Sequence, residues 1–416
     1  MNKKLPLLCF FLTFALIVEA QSPGELLTGY QTQLESLKQK EADLLAKIEN
    51  AKLQILRADL KTYGLPALQP EEEVISHAAL SLVYSEEHEQ AKWVAHIITP
   101  DFIEGSLFRS NDFRPDPLVK TGSATEADYF LKEELEDGNF AYDGFGYDRG
   151  HLAPSADFRW SALAMSESYF YSNMSPQLGD FNREKWAEAE GSLRSYLYRN
   201  RDTQLFVCTG GVLTDDLPVI ERGVNKVSIP RQYWKVAVDM KNRRGMAYLM
   251  QNKSLSESLI TYFTSIDEIE KLTGIDFFAD LPDDLENEVE AQNNPRDWLP
   301  ITAFGDTEPV SMNSLPTRHY NTVVAGKIAG KGGVVTVVGQ AVSARRSRNG
   351  NILINLDKQF PNQIFTVFIK REDIIHFPYD PEIELLGKKL YVTGRVEKLG
   401  DKPAMYIARE DMIVYE

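Results

Sequence analysis

Cysteine is almost missing from this chain: it has two in 416 residues, Cys9 and Cys208. Cys9 falls inside an N-terminal run that reads as a removable leader, too early for a lipid-attachment cysteine. The mature chain then carries Cys208 alone, which excludes an internal disulfide framework and a multi-cysteine zinc site. Long hydrophobic runs are scarce as well. The run from Leu5 to Val18 falls short of the roughly 20 apolar residues that a membrane span needs. It follows Lys3 and Lys4 and ends at Val18-Glu19-Ala20, the pattern of a secretory signal peptide over residues 1–20. The expected location is secreted or periplasmic, with no stable membrane span after cleavage.

An excess of positive charge is also lacking. Lys and Arg number 45 against 61 Asp and Glu, a formal net charge of −16. That argues against coating of nucleic acid by the whole surface, but leaves a local basic cleft open, because phosphate contacts are counted locally. No Gly-x-Ser-x-Gly elbow is present, and the glycines between Gly326 and Gly333 lack the spacing and the Ser/Thr of a phosphate-binding loop. With 43% hydrophobic and 25% charged residues the composition is that of a globular protein, and the length suits two or three domains.

From Leu27 to Ala58 apolar residues follow a three-four spacing (Leu27, Tyr30, Leu34, Leu37, Leu44, Ile48, Ala51, Ile55, Ala58), broken at Glu41. This predicts an amphipathic helix over 24–62, either a coiled coil that makes a homo-oligomer or a helix packed back on the next domain. Residues 70–292 mix short β-rich runs (Trp93 to Ile98, Gln204 to Thr209, Gln232 to Val238, Met246 to Met250) with helical stretches at Asn182 to Tyr198 and Ile266 to Leu272. An α+β domain with an antiparallel sheet fits this mixture. The segment Asp280 to Glu290 is acidic, and the Pro, Asn and Asp residues after it predict a linker over 293–316.

The last hundred residues change character. Five β-rich runs (Val334 to Ala344, Ile352 to Asp357, Ile364 to Lys370, Lys389 to Val396, Met405 to Ala408), with a short helix near Glu372 to His376, suit a small OB-type β-barrel over 317–416. From Thr317 to Glu416 there are 15 Lys and Arg against 11 Asp and Glu, so this is the basic part of the chain.

The densest polar cluster is Tyr147-Asp148-Arg149-Gly150-His151-Leu152-Ala153-Pro154. An imidazole of near-neutral pKa can take a proton from water, a neighbouring carboxylate can fix its tautomer, and glycine lets the backbone turn sharply. Downstream, Asn182, Trp186 and Glu190 fall at i, i+4 and i+8, one drifting stripe on a helix. A neutral amide oxygen with a carboxylate further out suits Mg²⁺, a hard cation that keeps most of its waters.

Together these residues resemble the DNA/RNA non-specific endonuclease family of the ββα-metal class. The resemblance spans roughly residues 75 to 280. Beyond the Asp-Arg-Gly-His block it includes Gln90 to Ala95, Arg109-Ser110, Asp112-Phe113-Arg114, Asp116, Asn173 to Gln177, and Asn182 with Trp186 and Glu190. One departure is Gly210-Gly211, where many relatives have Gly-Pro, expected to alter a strand-end turn. The resemblance implies His151 as general base, Asn182 as direct ligand of Mg²⁺ (Mn²⁺ being the alternative), and Glu190 as a ligand through water. It implies an arginine on the scissile phosphate, assigned to Arg109 with Arg114 as second candidate. Arg149 either contacts substrate or braces the hairpin, Asp148 orients the local backbone or His151, and Asn173 gives support behind the site. DNA and RNA are the expected substrates, cut without sequence preference to 5′-phosphate products.

The C-terminal segment resembles, more loosely, OB-type modules attached to exported bacterial nucleases. Arg345, Arg346 and Arg348 fall between its first two strands, where they either hold single-stranded substrate or form a solvated basic loop. Phe360, Phe365 and Phe368 are candidates for base stacking or barrel core. Two other readings stay open: an envelope protein that captures nucleic acid without cutting it, and a phosphodiesterase of small diesters.

Overall fold

A computed structural model of the chain describes residues 22–299, 304–347, 350–377 and 381–416. The expected leader, Arg348 and the middle of the expected linker lie outside these described residues. The chain forms two compact units, divided between Ile55 and Leu56.

The first unit is most of one long helix, α1 (Pro23–Asp59), started by Ser22, which accepts from the Glu25 amide while Glu25 accepts from the Ser22 amide. Its apolar stripe is unburied: Leu27, Tyr30, Leu34, Leu37, Leu44, Ile48 and Ile55 are all exposed.

In the second unit, Leu56 and Leu60 join a core built on an antiparallel sheet. Its strands are β1 (Val74–Ser76), β2 (Leu80–Ser85), β3 (Gln90–Ile98), β8 (Leu205–Gly211), β9 (Gln232–Asp239), β10 (Arg244–Gln251) and β11 (Phe263–Thr264), adjacent in that order. Strand alternation gives the sheet two faces. Trp93, Ala95 and Ile97 of β3 share a core with Trp234, Val236 and Val238 of β9 and with Ile266, Ile269 and Val289 from the helices Ile266–Thr273 and Asp283–Glu290. The opposite face presents His96 and Lys235. Two antiparallel pairs stand outside this sheet: the tight hairpin of β4 (Phe130–Glu134) with β5 (Phe140–Gly144), and the wide hairpin of β6 (Asp148–His151) with β7 (Met174–Gln177), whose connection carries the helix Ala162–Glu167. The chain then winds through a π-helical turn, Phe181–Trp186, into the helix Ala187–Arg199. A hairpin followed by a helix, laid on an antiparallel sheet, is the expected α+β arrangement.

The C-terminal part also belongs to the second unit. Its ladders run β17 (Val396–Leu399), β18 (Lys402–Tyr406), β15 (Thr366–Ile369), β14 (Ile352–Leu356), β13 (Val335–Arg346), β16 (Lys389–Gly394) and β19 (Ile413–Tyr415), with β12 (His319–Asn321) beside β13. These strands enclose Val337, Ile354, Phe365, Val367, Leu390 and Met405. Among the described residues the ladders end at β17 and β19 and do not close on each other, so the OB-type barrel expected over 317–416 does not appear as a closed barrel. Where β16 would meet β18, the Met405 side chain packs against Gly394, and the chain turns straight into β17.

The expected linker over 293–316 is held down at both ends. Trp298 is buried, stacks on Tyr196 at 4.5 Å, and donates its indole N–H to the Gly245 carbonyl. Phe304 and Thr307 donate their amides to the carbonyls of Val342 and Asp357. A polar composition marked a break between elements, but one tryptophan was enough to anchor it. Among the described residues no helix is long and apolar enough to cross a membrane.

Candidate active site

His151 ends β6, opposite Met174 of β7. It is 8% exposed, its ring meets the edge of Tyr169 at 4.8 Å and that of Phe113 at 5.9 Å, and its Nε2 is buried with no hydrogen-bond partner. Burial first, and then the charges of Arg109 and Arg149, push its pKa down to about 3. The imidazole is therefore a neutral base throughout the physiological range.

Asp148 and His151 are three residues apart on one strand, which puts them on opposite faces. Asp148 therefore does not orient the imidazole. Its Oδ2 accepts from Asn182 Nδ2 at 3.0 Å and from Arg183 Nε at 2.8 Å, and its Oδ1 accepts from Arg183 Nη2 at 2.5 Å. With its NH₂ group held in this way, Asn182 keeps its amide oxygen as a free acceptor. The helical stripe expected from Asn182 through Trp186 to Glu190 is broken by the π-helical turn. Trp186 is fully buried against Phe181 and Tyr233, while Asn182 and Glu190 remain half-exposed.

Arg149 shares the His151 face of β6, and its guanidinium lies 3.6 Å from the Phe113 ring centre and 4.9 Å from that of Phe130. It is held between two rings and lies within reach of the Tyr171 hydroxyl. Gly150 has an ordinary negative φ, so it makes no turn; the left-handed residue is Gly146 at φ +93°. Glycine is needed at 150 because a Cβ there would sit 2.2 Å from the Gln177 side chain. Gly210 and Gly211 likewise continue β8, paired with Trp234 and Tyr233, and do not form a turn.

The two arginine candidates separate clearly. Arg109 is exposed, donates only Nε, to the Tyr169 hydroxyl at 3.1 Å, and pairs with no carboxylate among the described residues. Its charge acts on both His151 and Glu190. Arg114 is consumed by its surroundings: Nη1 donates to the Asp112 carboxylate and carbonyl and to the Ser166 carbonyl, and the guanidinium lies 4.1 Å from the Phe170 ring centre. Asn173 is buried and clamps the residue two beyond His151 in both directions, accepting from the Ala153 amide and donating to the Ala153 carbonyl, each at 2.9 Å.

Beneath the site lies a charge cluster that the sequence reading missed. Lys235 of β9 is 1% exposed and donates Nζ to Thr209 Oγ1 at 2.7 Å and to the Leu152 carbonyl at 3.3 Å. Asp157 accepts from Arg194 at 2.6 Å and faces His96 Nε2 at 3.0 Å. Burial raises the Glu190 carboxyl to about 7 although Lys235 and Arg194 pull it down, and burial lowers Lys235 to about 8 although Glu190 and Asp157 oppose it. A lysine inside the otherwise apolar run Tyr233 to Val238 was the available signal, since lysine is rarely buried without a partner.

In the C-terminal sheet Arg345 is exposed, 5.8 Å from the centre of the exposed Phe360 ring. Arg346 is not available to substrate in the same way: it pairs with Glu382 at 3.1 Å and lies 4.6 Å from the ring centre of Tyr198, on the helix Ala187–Arg199. Phe365 is core.

The polar groups of the site are thus a buried imidazole at the end of β6, an amide on the π-helical turn oriented by Asp148, and an arginine that pairs with no carboxylate among the described residues. Residues 58–284 match the family model described as DNA/RNA non-specific endonuclease. The chain belongs to that family, and it is an endonuclease. Over 237 residues it is 27% identical to a nuclease of Nostoc sp., covering 54% of this chain and 80% of that one. Over 244 residues it is 30% identical to mitochondrial endonuclease G of Bos taurus, covering 54% and 74%. A crystal structure of an EndoG/EndoGI complex aligns with 54% of this chain and 93% of that one, at 27% identity and a TM-score of 0.44.

Proposed function

We propose that the chain is an exported, divalent-metal-dependent endonuclease that hydrolyses both DNA and RNA without sequence preference and leaves 5′-phosphate ends. The observation that carries this reading is the convergence on Tyr169 of the buried His151 ring, 4.8 Å from it, and the Arg109 guanidinium, which donates Nε to its hydroxyl at 3.1 Å. His151 takes the proton from the water that attacks phosphorus. Arg109, steadied by Tyr169, offers its terminal nitrogens to the phosphate oxygens, where negative charge grows in the transition state. Asn173 holds Ala153, and through it the end of the strand that bears His151.

Asn182 and Glu190 fit a hard divalent cation. One has a neutral amide oxygen whose orientation Asp148 sets, and the other a carboxylate that receives no hydrogen bond among the described residues. Asn182 would hold Mg²⁺ directly and Glu190 through water, with Mn²⁺ the alternative. When bound, the ion supplies positive charge to the phosphate and the 3′ leaving oxygen. Attack by water needs no 2′-hydroxyl, and contacts to backbone carry no sequence information. An OB-type role for the C-terminal sheet rests on Arg345 and Phe360 as a substrate platform. A homo-oligomer through α1 rests on its exposed apolar stripe.

Incubating the purified chain with supercoiled plasmid and with a structured RNA, in Mg²⁺ or EDTA, tests this reading. Cleavage of both substrates in Mg²⁺ alone, with ends that accept kinase label only after phosphatase treatment, is expected. Cleavage in EDTA, or ends that take label directly, would overturn it.

A further inference from the structure

The helices Ile266–Thr273 and Asp283–Glu290 bring Asp267, Glu270 and Glu290 together, with one carboxylate oxygen of each within 4.8 Å of the others. Three like charges at that spacing repel. Asp276 and Glu286 add charge of the same sign. The cations carried nearby are engaged elsewhere, Arg243 with Glu288 and Asp284, and Lys271 with Glu268. A second observation is independent of this crowding. Glu290 is 93% buried and its Oε1 has no hydrogen-bond partner, while one oxygen of the same carboxylate lies within 4.8 Å of those of Asp267 and Glu270. An unpaired oxygen in such a position needs either a proton or a cation.

We propose that Asp267, Glu270 and Glu290 form a calcium site, separate from the catalytic residues, that ties the two helices to each other. All the ligand atoms are oxygens and three are anionic, which selects a hard cation over zinc or copper. The three oxygens lie within 4.8 Å of one another, close enough for one cation to bridge, and three protein carboxylates suit Ca²⁺, which takes six to eight oxygen ligands, better than Mg²⁺, which is usually held by one or two. The amide of Phe277 donates to Glu270 Oε1 at 2.8 Å and steadies that carboxylate. Asp267 and Glu270 are half-exposed, so water can complete the coordination. The second helix is pressed hard on the sheet: a Cβ at Gly245 of β10 would lie 1.9 Å from the Val289 carbonyl oxygen. An ion on Glu290, the next residue, secures that approach.

The test uses the full chain carrying Asn182→Ala, which removes the proposed direct ligand at the catalytic site. Calcium in excess over EDTA should raise its Tm by on the order of 5 °C. Titration calorimetry should find one calcium per chain more in this variant than in Asn182→Ala/Glu290→Gln. In EDTA the Glu290→Gln chain should melt no lower than its parent, because one of three mutually repelling charges is gone, whereas a glutamate with a purely structural role would melt lower when replaced. If Glu290→Gln fails to fold, the half-exposed Asp267→Asn carries the test, with calcium affinity expected to fall at least tenfold. Absence of a calcium response in Asn182→Ala, or a response kept after both substitutions, would overturn the site.

Discussion

The side-chain NH₂ group of Asn182 donates to the Asp148 carboxylate at 3.0 Å, so a residue of the hairpin decides which end of the amide on the following turn is left over. Removing the carboxylate frees the amide to rotate. Asp148→Ala should therefore weaken apparent Mg²⁺ affinity by about 10- to 100-fold, the scale on which residues behind a metal ligand act, with a smaller loss of kcat at saturating metal. Metal titrations of cleavage rate check this; an unchanged metal dependence with a large fall in kcat would place Asp148 in the chemistry instead.

The two arginines should respond differently. Arg109→Ala should lower kcat on the order of 100-fold with little change in stability, because its terminal nitrogens are unpaired in the folded chain. Arg114→Ala should do the reverse, melting lower with modest loss of activity, because it ties Asp112 to Ser166. Paired kinetics and thermal melts of both variants separate the roles.

Lys235 connects β9 to Leu152, the residue after the proposed base, and to Thr209. Lys235→Met leaves the Leu152 carbonyl, Glu190 and Asp157 with less positive charge in a buried place. The expected cost is about 3 kcal/mol, on the scale of breaking a buried charge cluster, read from denaturant unfolding in EDTA. Stability within 0.5 kcal/mol of the parent chain, the usual scatter of a surface substitution, would show the cluster to be dispensable.

The pH dependence carries two opposite signs. His151, with a folded pKa near 3, stays unprotonated as pH falls while the unfolded chain takes up a proton near 6.5. Its contribution to stability is thus present above about 6.5 and is lost as pH falls toward 3. Glu190, raised to about 7, contributes stability that is full below about 4.5 and lost as pH rises through 7. In activity, the rate at saturating Mg²⁺ should show no inflection near 6.5 from His151. The affinity for Mg²⁺ should weaken below about pH 7 as Glu190 takes a proton. Metal titrations at pH 6 and pH 8 read the second effect directly; equal affinities would contradict it.

How much was legible in the sequence follows from how each feature is encoded. The strand at Gln232 to Val238 and the helix at Ile266 to Leu272 differ from the observed elements by one residue, because both rest on local periodicity. His151 stood out in a short block dense in polar groups, and Asn182 and Glu190 through their spacing around Trp186 and the resemblance to the family. Lys235 did not, because its partners Leu152 and Glu190 come from distant segments and only the fold brings them under it. The reading of Gly150 as a turn residue failed for a similar reason: the Gln177 side chain, which forbids a Cβ there, belongs to the neighbouring strand. Arg346 looked like part of a basic loop until the helix bearing Tyr198 was in view.

The most direct test of the central claim is single-turnover cleavage of a labelled duplex by His151→Ala in Mg²⁺, beside its binding to the same duplex. The account predicts binding close to that of the unaltered chain and cleavage slower by at least about 100-fold, the scale of a lost general base. Cleavage by His151→Ala at the unaltered rate would contradict it.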